Sequence, residues 1–164
     1  MDFKKILVAV DASENSVRAV SYVGEMLGAT QGFSVVLLYI ERFPDRDLFP
    51  DDASWKARCL EQAEEVKDTL QDSKDILIAK GLPESSVAIN YLPSCKSPLA
   101  DRVATRCSLG TSIAREILDV VKEGGFGTVA LGRRGVSKAE EFLFGSVSNK
   151  VIHSVKGCTV WVVA

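Results

Sequence analysis

The feature that most limits how this chain can fold is ILVAV at residues 6–10, an unbroken apolar run too short to be a helix. A strand buried on both faces reads this way, whereas a half-exposed strand alternates apolar and polar residues. Comparable stretches recur at residues 35–40, 128–131 and 159–163, and residues 86–92, more mixed, supply a further strand. Between them the spacing turns helical. A helix is expected over 14–27, with Val17, Val20, Val23 and Leu27 on its apolar face and Gly28 as its stop. A longer one is expected over 53–80, carrying Trp55, Cys59, Ala63, Val66, Leu70 and Leu77 and ended by Gly81. A third begins near Thr111, buries Ile113, Ile117 and Val121, and stops at Gly124-Gly125, and a last one covers 146–155. Strand and helix thus alternate β-α-β-α-β-α-β-α-β, which predicts an α/β fold: a parallel sheet with helices on both faces.

At 164 residues the chain is long enough for a sizeable core, and a single domain over 1–164 is expected. A net charge of −2 gives no general reason to expect nucleic acid or an anionic membrane as partner. The longest apolar run, at 35–40, is far shorter than a bilayer requires. No charged-then-apolar leader opens the sequence, so the expected location is the cytoplasm. The four cysteines contain no C-x-x-C pair, and with one histidine, His153, they make no zinc constellation. Reduced, packed thiols are the favoured reading; Cys95 and Cys107, in an expected loop, could meet as a redox-sensitive pair. Residues 41–52, with Pro44, Pro50 and several charges, read as an exposed loop.

The chemistry concentrates between Thr128 and Val151. The apolar run there meets Gly132; two residues separate Gly132 from Gly135, and nine separate Gly135 from Gly145-Ser146, where a helical pattern starts. Strand, loop and helix N-terminus in that order can cradle a phosphate, because the first turn of a helix offers unpaired N–H groups and a positive dipole end. Glycines would let backbone approach a ligand or take φ > 0, and Ser146 would cap the helix or lend its hydroxyl to a phosphate oxygen. Arg133, Arg134 and Lys138 add positive charge, with Arg134 the candidate for bridging phosphate oxygens.

Together with LVAVDASENS at residues 7–16, this glycine spacing resembles the ATP-binding subgroup of the universal stress protein family. The resemblance spans nearly the whole chain, apart from residues 94–110. There the family passes quickly from strand to helix, whereas here Ser97-Pro98 can open a short extra helix with Leu99, Val103 and Cys107 on one face. The resemblance implies an open, doubly wound five-stranded parallel sheet of order 3-2-1-4-5. In such a sheet ligands bind where the strand order reverses, beyond the carboxyl ends of strands 1 and 4. Asp11 ends the first of these and Gly132 the second. The family's pattern maps adenine contacts onto Val10 and Ile40 beside Asp11, whose carboxylate suits ribose or adenine donors, and phosphate and ribose contacts onto Gly132, Gly135, Gly145 and Ser146; Arg134, for its charge, and the adjoining Leu131 and Val147 complete the candidate set. For Asp11 the plain alternative is a turn or cap aspartate, and for the glycines ordinary turns.

The ligand implied is ATP or another adenine nucleotide, with any Mg²⁺ riding on its phosphates. Walker, dinucleotide-binding, flavodoxin and phosphorelay-receiver patterns are not met. No general base is placed for water attack, so hydrolysis is expected to be slow at most. Two rival readings remain, a slow ATPase or adenylate-transferring enzyme and a dimeric interaction protein without nucleotide. The apolar last strand, predicted at a sheet edge, implies a homodimer through that strand, as family members often form.

Overall fold

The computed structural model describes residues 1–98, 106–134 and 144–164. Five strands, β1 (Asp2–Ala9), β2 (Ser34–Ile40), β3 (Val87–Leu92), β4 (Phe126–Gly132) and β5 (Thr159–Val163), form one sheet in the order β3-β2-β1-β4-β5. Every pairing is parallel. The helices are α1 (Glu14–Leu27), α2 (Asp52–Ala79), α3 (Ile113–Gly124) and α4 (Ser146–Ser154), with single 3-10 turns at Arg46–Leu48 and Glu84–Ser86. The fold class and the strand order are those expected.

Unbroken apolar runs are needed because the central strands face two cores. Ile6, Val8 and Val10 of the first run pack with Val20, Val23 and Leu27 of α1 and with Val66, Leu70 and Leu77 of α2. Leu7 points to the opposite core, with Ala114, Ile117 and Val121 of α3 and Val151 of α4. β2 and β4 alternate likewise, Leu37 and Ala130 to the first core and Leu38, Val129 and Leu131 to the second.

Local deviations have physical causes. β1 starts at Asp2 rather than near Ile6, since its first three residues are exposed and, with Lys5, read as pre-strand. β4 starts at Phe126, directly after Gly125 ends α3 in the left-handed conformation (φ 67°). On α1, Val17 is 44% exposed, and Ser16 takes the buried place beside Ala19 and Val20. Its hydroxyl accepts a bond from the Asp11 N–H at 2.9 Å, so burying this serine leaves no orphan. Trp55 and Ile113 are only half-buried; the Trp55 indole donates to the Pro44 carbonyl at 3.0 Å, tying the loop after β2 to α2.

Two expectations are corrected around the residues 94–110 excursion. Glu41, read as part of an exposed loop, is 3% exposed. It accepts a hydrogen bond from the Tyr91 hydroxyl and one from the Ser94 N–H at 2.7 Å. The cysteines at the base of the excursion are not reduced: Cys95 and Cys107 form a disulfide with their Cα atoms 5.0 Å apart. Ser94 and Ser108 pair beside it as a parallel bridge. Most of the extra helix expected from Ser97 lies outside the described residues. Cys59 is buried and Cys158 half-buried, as expected of packed thiols.

Two neighbouring glycines separate backbone strain from steric overlap. A Cβ on Gly127 would sit 2.5 Å from the Asp2 carbonyl and the Phe3 nitrogen, whereas one on Gly125 meets nothing within 4 Å but is strained by φ +67°. Gly125→Ala is expected to cost about 1 kcal/mol. Gly127→Ala forces β1 and β4 apart and is expected to cost about 2 kcal/mol or more. Denaturant midpoints of the two variants give this ranking directly, and equal midpoints would contradict the close approach.

Candidate nucleotide-binding site

The loop after β1 is built by short polar side chains. Ser13 caps α1, its hydroxyl accepting from the Ser16 N–H at 3.2 Å. Asp11 Oδ1 accepts from the Ser13 N–H at 3.0 Å and from the Ser13 hydroxyl at 2.5 Å. The turn reading of Asp11 therefore holds for one carboxylate oxygen, while the residue also lines the cavity described below. The Val10 N–H still reaches the Leu38 carbonyl, at 2.8 Å, so β1 keeps its place to the edge of the site.

On the neighbouring strand, Gly132 pairs with Val163 and Arg133 continues the ladder to the Val163 carbonyl at 2.6 Å. A Cβ on Gly132 would fall 2.7–2.8 Å from the Asn15 backbone, so the glycine is required by the packing of β4 against the first turn of α1. Its conformation is ordinary: Gly132 and Gly145 are both absent from the positive-φ glycines, and Gly145 has φ −65°. The chain leaves the sheet after Arg133 and returns at Gly145, whose N–H donates to the Arg133 carbonyl at 2.8 Å. Gly135 and Lys138 lie outside the described residues.

Gly145, not Ser146, is the N-cap of α4, and no side chain caps this helix. Ser146 is its exposed first residue. Ser148, buried one turn in, donates or shares its hydroxyl with the Arg133 carbonyl at 2.7 Å and the Gly145 carbonyl at 3.1 Å. The helix N-terminus is thus held against β4 from behind, and its first N–H groups keep the anion-binding character of an uncapped end.

These two loops border one cavity of about 540 Å³. Val10, Asp11, Ile40, Leu131, Gly132, Arg134, Gly145, Ser146 and Val147 all line it. Every described residue of the expected set is therefore brought together. The Ser13 hydroxyl also lies 3.5 Å from the Arg134 carbonyl, so the loops touch across 121 residues of sequence.

Sequence reasoning missed the far wall. Arg42, Arg58, Gln62, Glu65 and Thr69 line the cavity, as do Tyr39 and the half-buried Ile113. The α2 residues recur at helical spacing on the polar side of the apolar stripe, a signal easily taken for a solvated face. Arg58 bonds Glu61 at 2.8 Å and Glu65 at 3.3 Å, and these bonds push its guanidinium further up from its usual value. Arg42 donates through Nη1 to the Gly110 carbonyl at 2.6 Å, while its buried Nε–H has no partner among the described residues. His153 lies elsewhere, exposed, with its Nδ1 2.8 Å from the Asn149 carbonyl.

An open parallel sheet with a cavity at its switch point, one wall a helix N-terminus, defines a class of small-ligand-binding α/β proteins. The chain belongs to the universal stress protein family, whose model matches residues 2–164. Its fold is shared by the hypothetical protein MJ0577 (22% identity, TM-score 0.71, covering 98% of this chain and 95% of that one). It is shared too by a universal stress protein from Archaeoglobus fulgidus in complex with dAMP (19% identity, TM-score 0.62, all of both chains). A third is a universal stress protein in complex with cAMP (17% identity, TM-score 0.62, 98% of this chain and 95% of that one). No curated protein matches the sequence.

The tyrosines beside the site make an alkaline prediction. Tyr39 and Tyr91 stack with ring centroids 5.7 Å apart. Burial, the largest cause, raises both hydroxyls above their ordinary 10.0; Glu41 raises them further, through a hydrogen bond to Tyr91 and through its charge at Tyr39. A group whose pKa is higher in the folded state contributes stability below its unfolded pKa and loses it as pH rises through the folded value. Stability should therefore fall above pH 10, and Tyr39→Phe with Tyr91→Phe should remove part of that fall. Denaturant unfolding at pH 9 and pH 11, with tyrosinate absorbance, checks it.

Proposed function

We propose that this chain binds an adenine nucleotide, ATP in the first instance, in the cavity between β1 and β4 and acts as a nucleotide-dependent sensor or regulator. The observation that carries this reading is the convergence of the two loops. Residues more than a hundred positions apart, selected from sequence for adenine, ribose and phosphate contact, line one cavity beside an uncapped helix N-terminus. The adenine would lie against Val10 and Ile40 with Asp11 near the ribose, and the phosphates would meet the first turn of α4 and Arg134. Arg42 adds a guanidinium to the same cavity wall, which suits an anionic ligand. The dAMP and cAMP held by two proteins of the same fold share the adenine base assigned here to the ends of β1 and β2.

A binding role fits the carboxylates better than hydrolysis does. Asp11 is held to Ser13 through one oxygen and Glu65 is held to Arg58, so both carboxylates are placed by structural bonds. Mg²⁺ would be carried by the nucleotide, since among the described residues no cluster of three acidic, histidine or cysteine side chains could hold a metal. No described helix is long and apolar enough to cross a membrane. The edge position of β5 suits a homodimer through that strand.

Calorimetric titration with Mg-ATP tests the site. Saturable binding is expected, and Asp11→Ala should weaken it at least about ten-fold, or about 1.4 kcal/mol. Unchanged affinity in Asp11→Ala, with native circular dichroism, would remove the site assignment. Sedimentation should show a dimer that Val162→Lys dissociates; a wild-type monomer at micromolar concentration would remove the strand-edge assembly.

A further inference from the structure

The excursion at residues 94–110 is fastened to the cavity wall from both of its ends. On the first side, the Ser94 N–H donates to Glu41 Oε2 at 2.7 Å, and Glu41 directly follows Ile40 at the end of β2. On the second side, the Ser108 hydroxyl donates to Glu116 Oε1 at 2.8 Å on α3, between cavity residues Ile113 and Ile117. Two residues further, the Gly110 carbonyl receives Arg42 Nη1 at 2.6 Å. The Arg42 carbonyl in turn accepts from the Gln62 amide, and both of these residues line the cavity. Backbone bonds from Cys95 N–H to the Ser108 carbonyl (2.8 Å) and from Ser108 N–H to the Pro93 carbonyl (2.7 Å) hold the two sides together. The covalent closure of this clasp is the Cys95–Cys107 disulfide.

Both cysteines of the pair are exposed, so a thiolate can reach either sulfur. The other two offer no competing exchange partner. Cys59 is fully buried in α2 and Cys158 half-buried, and burial pushes both thiols up from their usual value, which keeps them protonated and unreactive. A disulfide in such a chain is thus placed for exchange and tied to ligand-facing residues by a short run of hydrogen bonds.

We propose that Cys95–Cys107 is a thiol–disulfide exchange site for a dithiol reductant, and that opening it loosens the Arg42 wall of the cavity and lowers its affinity for nucleotide. The affinity part rests on the nucleotide-binding reading above; the exchange and the loosening do not. In the reaction, a thiolate of the reductant attacks one sulfur of the pair, and the S–S bond breaks to leave the other as a thiolate that takes up a proton. The reductant's second thiol then attacks the mixed disulfide. The reductant leaves as its own disulfide, and Cys95 and Cys107 end as two thiols, having received two electrons and two protons. Opened, the excursion regains chain entropy, and the Glu41, Glu116 and Arg42 contacts hold it at separate points instead of as a closed ring.

The test treats the full chain with dithiothreitol or with oxidised glutathione, follows the thiols by alkylation and intact mass, and measures hydrogen exchange and ATP affinity in both states. Native-state alkylation of Cys95 and Cys107 ahead of Cys59 is expected. So are faster exchange in peptides covering residues 40–43 and 109–117 and an affinity at least about five-fold weaker on reduction. Re-oxidation should restore both, and Cys95→Ser with Cys107→Ser should copy the reduced state and ignore dithiothreitol. A pair that stays oxidised in the folded chain overturns the exchange site. A pair that opens with unchanged hydrogen exchange overturns the coupling, as does equal ATP affinity in the two states. Absence of ATP binding in both states removes the nucleotide reading instead, and hydrogen exchange then decides the coupling alone.

Discussion

The parallel pairing of β1 with β4 is the contact on which the rest of the structure depends. It joins the two halves of the sheet, Ile6 to Thr128, Leu7 to Val129 and Val8 to Ala130, across more than a hundred residues of chain. Loop entropy opposes so distant a contact, so it must be secured by burial on both faces. The sequence provides this with side chains that are fully buried, Leu7, Val8, Val129 and Ala130 among them. Because the chain winds outward from this seam in opposite directions, the loops leaving β1 and β4 diverge from the sheet and leave a crevice between them. The cavity is thus a consequence of topology, and the side chains only furnish it.

What furnishes it serves folding as well. Gly132 has no side chain because Asn15 is too close, and Ser13 caps a helix while orienting Asp11. Ser148 pins α4 against β4 by bonding backbone carbonyls on both sides of the loop. The choice between a ligand residue and a structural residue is therefore a false one at these positions. The structural bonds are what pre-organise the backbone that a ligand would meet.

The fold was legible because its signals are local and repeated. α1 and β5 run over the residues expected, since a glycine stop and a five-residue apolar run mark them. That the loops after β1 and β4 border one cavity was legible because two separated motifs acquire meaning once the strand order is known. Other features were hidden for physical reasons. Glu41 looks like a loop charge until Tyr91 and Ser94, distant in sequence, are seen to satisfy it. Ser16 outcompetes Val17 for the core because a hydroxyl there has a backbone N–H to meet, which periodicity does not encode. The α2 wall escaped because polar residues over a cavity and polar residues in water look alike in a helical pattern. The Cys95–Cys107 pair was visible only as an alternative to reduced thiols, because spacing without C-x-x-C does not fix which thiols meet.

The bond from Gly145 N–H to the Arg133 carbonyl closes the base of the loop that leaves β4, and Ser148 locks the same carbonyl from the helix side. The alignment of strand and helix is therefore fixed by bonds at the foot of the loop. For a loop closed at its base in this way, added length costs only the slow logarithmic growth of loop entropy. The junction thus separates the part of the chain that holds the sheet's register from the loop where length is cheap to change.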